Sequence, residues 1–246
     1  MPSTFISARR LLVVLAASWL GASFAFADDA AIRKNIAERL PDFPKIDEIA
    51  KTPIPGLFEL RVGTDIFYSD EAGNHLIEGH MIDTRTRGNL TQARIDKLTQ
   101  IDFASLPLKD AIVWKQGKGT RKLVVFADPN CGYCKKFEKE MQQVKDVTVY
   151  TFLYPILGGD SPEKSRNIWC AKDNSTAWRD WMINGTAPAR SMGQCDVTAL
   201  QRNAALGKKH KINGTPALVF EDGKRVPGAM APEQVEKQLV LSRGKA

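Results

Sequence analysis

Leu123-Val124-Val125-Phe126-Ala127-Asp128-Pro129-Asn130-Cys131-Gly132-Tyr133-Cys134 passes from an unbroken apolar run, through a turn, to two cysteines that open an amphipathic segment continuing through Phe137 and Met141. Five apolar residues bounded by turn chemistry read as a strand buried on both faces of a sheet. Downstream lie a second strand over 147–153, helical segments near 162–172, 175–184 and 197–208, and a hairpin. The hairpin pairs 217–220 with Arg225-Val226 around Asp222-Gly223, and a last helix covers 232–241. Strand, helix, strand, inserted helices, hairpin and helix make an α/β unit with a mixed sheet, beginning near Leu108.

Upstream the texture differs. Ile32, Ile36 and Leu40 recur at helical spacing until Pro41 and Pro44. Strand-like runs at 57–62, 66–68 and 76–81, separated by Gly63-Thr64-Asp65 and by 70–74, predict a small antiparallel meander. Asn89-Leu90-Thr91 then opens a helix over 92–103, with Ile95, Leu98 and Ile101 on one face, suited to link two domains. At the start of the chain, Arg9-Arg10, an apolar run over 11–25 and Ala25-Phe26-Ala27 read as a secretory signal peptide cleaved after Ala27. The run is shorter than the roughly 20 residues that span a bilayer.

Of the 246 residues 43% are hydrophobic, which excludes general disorder. The formal charge of +7 falls to +5 when Arg9 and Arg10 leave with the leader, and basic residues such as Lys135, Lys136 and Lys139 are interleaved with Glu138 and Glu140. That excess gives little support to nucleic-acid binding.

The placement of the Cys131-Gly132-Tyr133-Cys134 motif decides its chemistry. Disulfide exchange needs a thiolate, and a cysteine at the first turn of a helix is stabilised in that form by unpaired N–H groups and the positive end of the helix dipole. Cys131 is therefore the candidate attacking sulfur, and Cys134, one turn along, the resolving thiol. Lys135 and Lys136 read as solvated, without a specific role. A zinc site would want further soft ligands, yet His75, His80 and His210 lack ligand spacing; a c-type haem would need His where Lys135 stands. Neither metal nor cofactor is expected. An inert structural CxxC disulfide stays open as the bland alternative.

Cys170 and Cys195 stand 25 positions apart without CxxC partners, which reads as a structural disulfide closing that loop. Gly214-Thr215-Pro216 precedes an apolar strand; Pro216 is either a plain strand start or a cis-proline turn facing the CxxC. In the second geometry the Thr215 backbone could pair with an extended substrate segment while its disulfide meets Cys131.

On Cys131-Gly132-Tyr133-Cys134, Ile168-Trp169-Cys170-Ala171-Lys172-Asp173, Cys195-Asp196-Val197 and Gly214-Thr215-Pro216-Ala217, the chain resembles the DsbC/DsbG family of bacterial thiol:disulfide interchange proteins. Beyond the leader read at 1–27, the resemblance implies a cystatin-like α+β dimerisation domain at 28–88, a linker helix at 89–107 and a thioredoxin-fold catalytic domain with inserted helices at 108–246. It further implies a V-shaped periplasmic homodimer whose apolar cleft holds misfolded exported clients, and a membrane reductase of the DsbD type that keeps the pair reduced. Catalysis falls to Cys131 and Cys134, with Gly132, Tyr133, Thr215 and Pro216 facing substrate. Disulfide isomerisation is the expected activity, with a DsbG-like reductase or holdase chaperone as the alternative. The stretch 174–194 does not match the family pattern.

Overall fold

The computed structural model describes residues 24–243. The leader assigned to 1–27 therefore lies, up to residue 23, outside the described residues. Among the described residues no helix is long and apolar enough to cross a membrane. The chain divides into two compact units, one up to Met81 and one from Ile82.

In the first unit, helix α1 (Phe24–Arg39) and strands β1 (Glu48–Lys51), β2 (Leu57–Val62), β3 (Asp65–Asp70) and β4 (Leu76–Glu78) form one layer of each kind. The four strands run antiparallel in chain order, a meander with one strand more than the sequence implies. Strand β1 escapes notice because its four residues, Glu-Ile-Ala-Lys, are half-buried or exposed and carry no run of apolar residues. The last strand ends at Glu78, three residues before the expected Met81. Phe58 and Leu60 alternate inward from β2 and meet Ile32 and Ile36 of α1, whereas Leu40 lies beyond the helix and is exposed.

The second unit opens with a two-residue pairing of β5 (Ile82–Asp83) and β6 (Gly88–Asn89). Helix α2 (Leu90–Leu98) is capped by Asn89, whose side chain accepts from the Gln92 N–H. It stops five residues before the expected Phe103 because the Ile101 N–H bonds instead to the Gly223 carbonyl, 2.9 Å away in the hairpin turn. A tertiary hydrogen bond thus overrides a continuing apolar period.

Five strands build the main sheet: β7 (Ile112–Gln116), β8 (Arg121–Ala127), β9 (Val147–Leu153), β10 (Ala217–Phe220) and β11 (Arg225–Pro227), in the order β11-β10-β8-β9-β7. Only β8 and β9 are parallel. Central strand β8 reads as continuous apolar sequence because both of its faces are covered. Leu123 and Val125 enter one core with Phe137, Met141, Val235 and Leu239, while Val124 and Phe126 enter another with Phe152, Tyr154 and Val219. The first core is closed by α3 (Gly132–Glu140) and α7 (Pro232–Arg243); beside them lie α4 (Ser161–Trp169), α5 (Asn174–Arg179) and a π-helical turn (Asp180–Asn184). Helix α6 (Thr198–Lys209) lies against β9 and packs Gly207 on the Tyr154 ring, so closely that a Cβ there would stand 2.5 Å from ring carbons. The Tyr154 hydroxyl in turn donates to the Ile212 carbonyl at 3.1 Å, tying down the loop that leads to Pro216.

Candidate active site

Strand β8 delivers the chain to the sheet's end, where Asp128-Pro129-Asn130 turns it into α3. Cys131 is the N-cap: its backbone is extended (φ −73°, ψ 117°) and its Sγ accepts the Cys134 N–H at 3.2 Å. The sulfur thus occupies the position where a Ser or Asp would cap a helix, facing the N–H groups that have no intrahelical partner. Opposite, the Thr215–Pro216 peptide is cis, and the Thr215 carbonyl lies 3.2 Å from Cys131 Sγ, where the protonated thiol donates to it. The structure therefore resolves the two readings of Pro216 in favour of the cis turn and brings Cys131, Cys134 and Thr215 together. Tyr133 projects into solvent, 72% exposed, beside two buried thiols.

The two sulfurs differ sharply in acidity. The Cys134 thiol, with the N–H groups of Cys134 and Tyr133 adding to it, brings Cys131 down from the usual 9.0 to about 6, against the opposing effect of burial. Burial pushes Cys134 far in the other direction, and its thiol is the donor in the pair. At neutral pH this site holds one thiolate and one thiol.

Every residue of the turn before Cys131 is held from outside the helix. Buried Asp128 accepts from the Asn130 N–H (2.8 Å), the Ser161 hydroxyl (2.7 Å) and the Leu157 N–H (2.9 Å). The Pro129 carbonyl accepts from Trp181 Nε1 at 2.6 Å, and Asn130 binds Asp160, Ser161 and Lys164 through its amide. Lys135 is not simply solvated: it is half-buried, its ammonium 3.9 Å from the Trp181 ring centroid, with Lys164 at 4.6 Å from the same ring. Lys136 does remain at the surface, beside Glu140. Trp181, Lys164 and Ser161 carry no sequence signal of their own, since only the folded insertion places them here. Asp128 does carry one, as an acid directly following an apolar strand.

Cys170 and Cys195 are bonded, with their Cα atoms 5.8 Å apart, at the base of that insertion. One turn beyond Cys134, Glu138 is buried and accepts from Trp178 Nε1 at 2.7 Å. Burial raises its carboxyl from the usual 4.5 to about 7, with the Trp178 N–H and Arg179 opposing.

Opposed stability trends follow. Glu138, a carboxyl raised on folding, contributes fully below pH 4.5, and that contribution is lost as pH rises to 7, on the order of 3 kcal/mol. Cys131, a thiol depressed on folding, adds stability on the order of 4 kcal/mol as pH rises from 6 towards 9. Denaturant titrations of the reduced protein should therefore pass through a stability minimum near pH 6–7. Glu138→Gln should flatten the acid limb and Cys131→Ser the alkaline limb; a minimum that survives both substitutions would assign the dependence elsewhere.

Comparison with known proteins agrees with this geometry. Residues 108–241 match the family described as thioredoxin-like domain, and residues 23–92 the family described as disulfide bond isomerase protein N-terminal domain. A probable thiol:disulfide interchange protein DsbC from Bordetella parapertussis is 41% identical over 209 residues, covering 85% of this chain and 73% of the relative. The thiol:disulfide interchange protein DsbC of Escherichia coli is 31% identical over 234 residues, covering 93% and 94%. The crystal structure of a disulfide interchange protein from Neisseria gonorrhoeae superposes with a TM-score of 0.53 at 37% identity, covering 56% of this chain and 99% of that one. A thioredoxin-like sheet with a paired-cysteine helix mouth, preceded by an isomerase-type N-terminal domain, places the molecule: the chain belongs to the DsbC family of thiol:disulfide interchange enzymes.

Proposed function

We propose that the protein isomerises wrong disulfides in exported proteins, with Cys131 as nucleophile and Cys134 as resolving thiol. The observation that carries this reading is the asymmetry of the pair, a thiolate at the helix mouth beside a deeply buried thiol of raised pKa. The Cys131 thiolate attacks one sulfur of a client disulfide, forms a mixed disulfide and expels the other client sulfur as a thiolate. A client thiolate then attacks the mixed disulfide, rebuilding a client disulfide and returning Cys131 with no net change in oxidation. If Cys134 attacks first, it loses its proton, the client leaves reduced by two electrons, and Cys131–Cys134 is oxidised. Burial, which persists in the mixed disulfide, disfavours the Cys134 thiolate, so the second route is slowed and the mixed disulfide stays open to a client thiol. That ordering favours isomerisation over plain reduction.

Each escape through Cys134 oxidises the enzyme, so the cycle needs an outside electron donor, for which a membrane thiol reductase of the DsbD type is the natural class. We assign residues 28–88 to a dimerisation domain, 89–107 to a linker and 108–246 to catalysis, and place the mature homodimer in the periplasm after cleavage following Ala27. Support for pairing comes from the matched N-terminal family and from a four-stranded meander with open edges that a second copy can cover. Exposed Ile54 and Ile77 in that unit offer apolar surface to unfolded clients, so chaperone action accompanies the redox role. Gly132, Tyr133, Thr215 and Pro216 line the face on which the client lies.

Incubating the reduced protein with a scrambled multi-disulfide client and following native activity tests the proposal. Recovery in catalytic amounts, without net reduction of the client, is expected. Release of fully reduced client instead would mark a reductase.

A further inference from the structure

We infer that the chain carries a carboxylate subsite beside its cis-proline turn, formed by Arg225 and Lys211, which receives an acidic side chain of the client within two residues of the attacked cysteine. The inference rests on the reading of Cys131 as nucleophile, because that reading places the client across Thr215.

A cavity of about 180 Å³ lies between the loop that precedes Pro216 and the end of β11, with Ile212, Ala217 and Pro227 as its apolar wall and Lys211 and Arg225 as its cationic one. Thr215, whose carbonyl meets Cys131 Sγ, lines the same cavity. Its back is held by the Gly228 N–H, which donates to the Pro216 carbonyl at 2.8 Å. The cavity is thus built onto the reacting loop.

Its charge is uncompensated. Arg225 is half-buried, and the partner of its guanidinium is the His210 carbonyl, one acceptor for a group with five donors. Among the described residues no carboxylate forms an ion pair with Arg225, Lys208, Lys209 or Lys211, whereas Arg33, Arg121 and Arg202 each have one and Arg61 has two. Burial lowers the Arg225 pKa; burial, with the charges of Lys209 and Arg225 adding to it, holds His210 below its usual value. A half-buried guanidinium without an acid partner is costly unless a ligand supplies the anion. Lys211, which ends the basic run Lys208-Lys209-His210-Lys211, lines the cavity itself.

The occupant is an Asp or Glu side chain. A client segment extended over Thr215 advances about 3.3 Å per residue and points alternate side chains to the same side, so a residue one or two positions from its cysteine reaches a cavity that Thr215 itself lines. A bidentate guanidinium–carboxylate pair fits such a space, and the apolar wall accepts the methylene stem.

The test uses the full-length reduced protein and disulfide-bonded peptides carrying Glu or Gln at each position within two residues of the cysteine. Wild type should react about five-fold or more faster with the best Glu peptide than with its Gln twin. The ratio should approach one in Lys211→Gln and in Arg225→Gln, while the Gln peptides keep their rates. Since Arg225→Gln also loses the bond to His210, Lys211→Gln stands as the independent variant. Equal wild-type rates for Glu and Gln peptides at every position would overturn the subsite while leaving the nucleophile intact. If neither peptide reacts, the nucleophile assignment fails, and the subsite is then read from Ser-for-Cys peptides by amide chemical shifts. The Glu version should move residues 211–215 and the Gln version should not; equal or absent shifts refute it. Oxidised glutathione supplies carboxylates from a small molecule: an unchanged rate in Lys211→Gln supports a client side chain as occupant, and a loss as large as that with the Glu peptide would overturn it.

Discussion

Cys131→Ser is expected to lose at least 100-fold of the rate at which scrambled client regains native activity, because the hydroxyl that replaces the thiol does not ionise near pH 7 and cannot form a disulfide. Cys134→Ser should behave differently. Its nucleophile remains, so mixed disulfides form, but a client that lacks a well-placed thiol cannot be released, and covalent enzyme–client adducts should accumulate on non-reducing gels. Cys134→Ala, which leaves no donor in place of the group that does most to lower the Cys131 pKa, should let the remaining thiol titrate above 6. Two variants with equal, near-native activity would contradict the division of labour; adducts forming through Cys134 in the Cys131→Ser variant would reverse it.

The second large effect is on stability. Trp178 is fully buried in the core that also holds Cys131, Cys134 and Phe137, and its indole N–H satisfies one oxygen of buried Glu138. Trp178→Ala removes the ring and leaves a buried carboxyl with neither oxygen paired, since Oε2 already has no partner. A cavity cost of about 3–5 kcal/mol and an orphaned acceptor worth about 1–3 kcal/mol should together bring unfolding close to working conditions. Trp178→Phe keeps most of the volume and should cost only about 1–3 kcal/mol. Guanidinium titration measures both through the midpoint, with an unchanged slope if the transition stays two-state. A loss below about 1.5 kcal/mol for Trp178→Ala would show that the inserted helices contribute little to the core beneath the motif.

How far the sequence speaks depends on whether an element's signal is local. Strand 147–153 has the bounds read from its composition, because all of its residues are tied into a covered sheet, Lys145-Asp146 precede it and Pro155 follows shortly after it. Strand β7, by contrast, alternates Ile112, Trp114 inward with Val113, Lys115 outward and pairs with β9 some 35 residues on; Gly117 and Gly119 mark its end, but a five-residue run with so distant a partner is easily passed over. At the site, Cys131, Cys134 and Pro216 are legible because the chemistry needs those residue types at those spacings. The clamp on the turn is not, since Trp181 reaches Pro129 across 52 positions from a π-helical turn that no period reveals. Nor is Arg225, an ordinary strand residue until folding sets it beside Lys211 without an acid.

The exchange chemistry requires Cys131 to be ionised at neutral pH. Alkylation of the reduced protein by iodoacetamide, followed by mass spectrometry at each cysteine as pH is varied, measures this directly. The predicted outcome is modification at Cys131 alone, with a midpoint near pH 6 and Cys134 protected in the folded protein. A midpoint near 9 at Cys131, or modification falling first on Cys134, would contradict it.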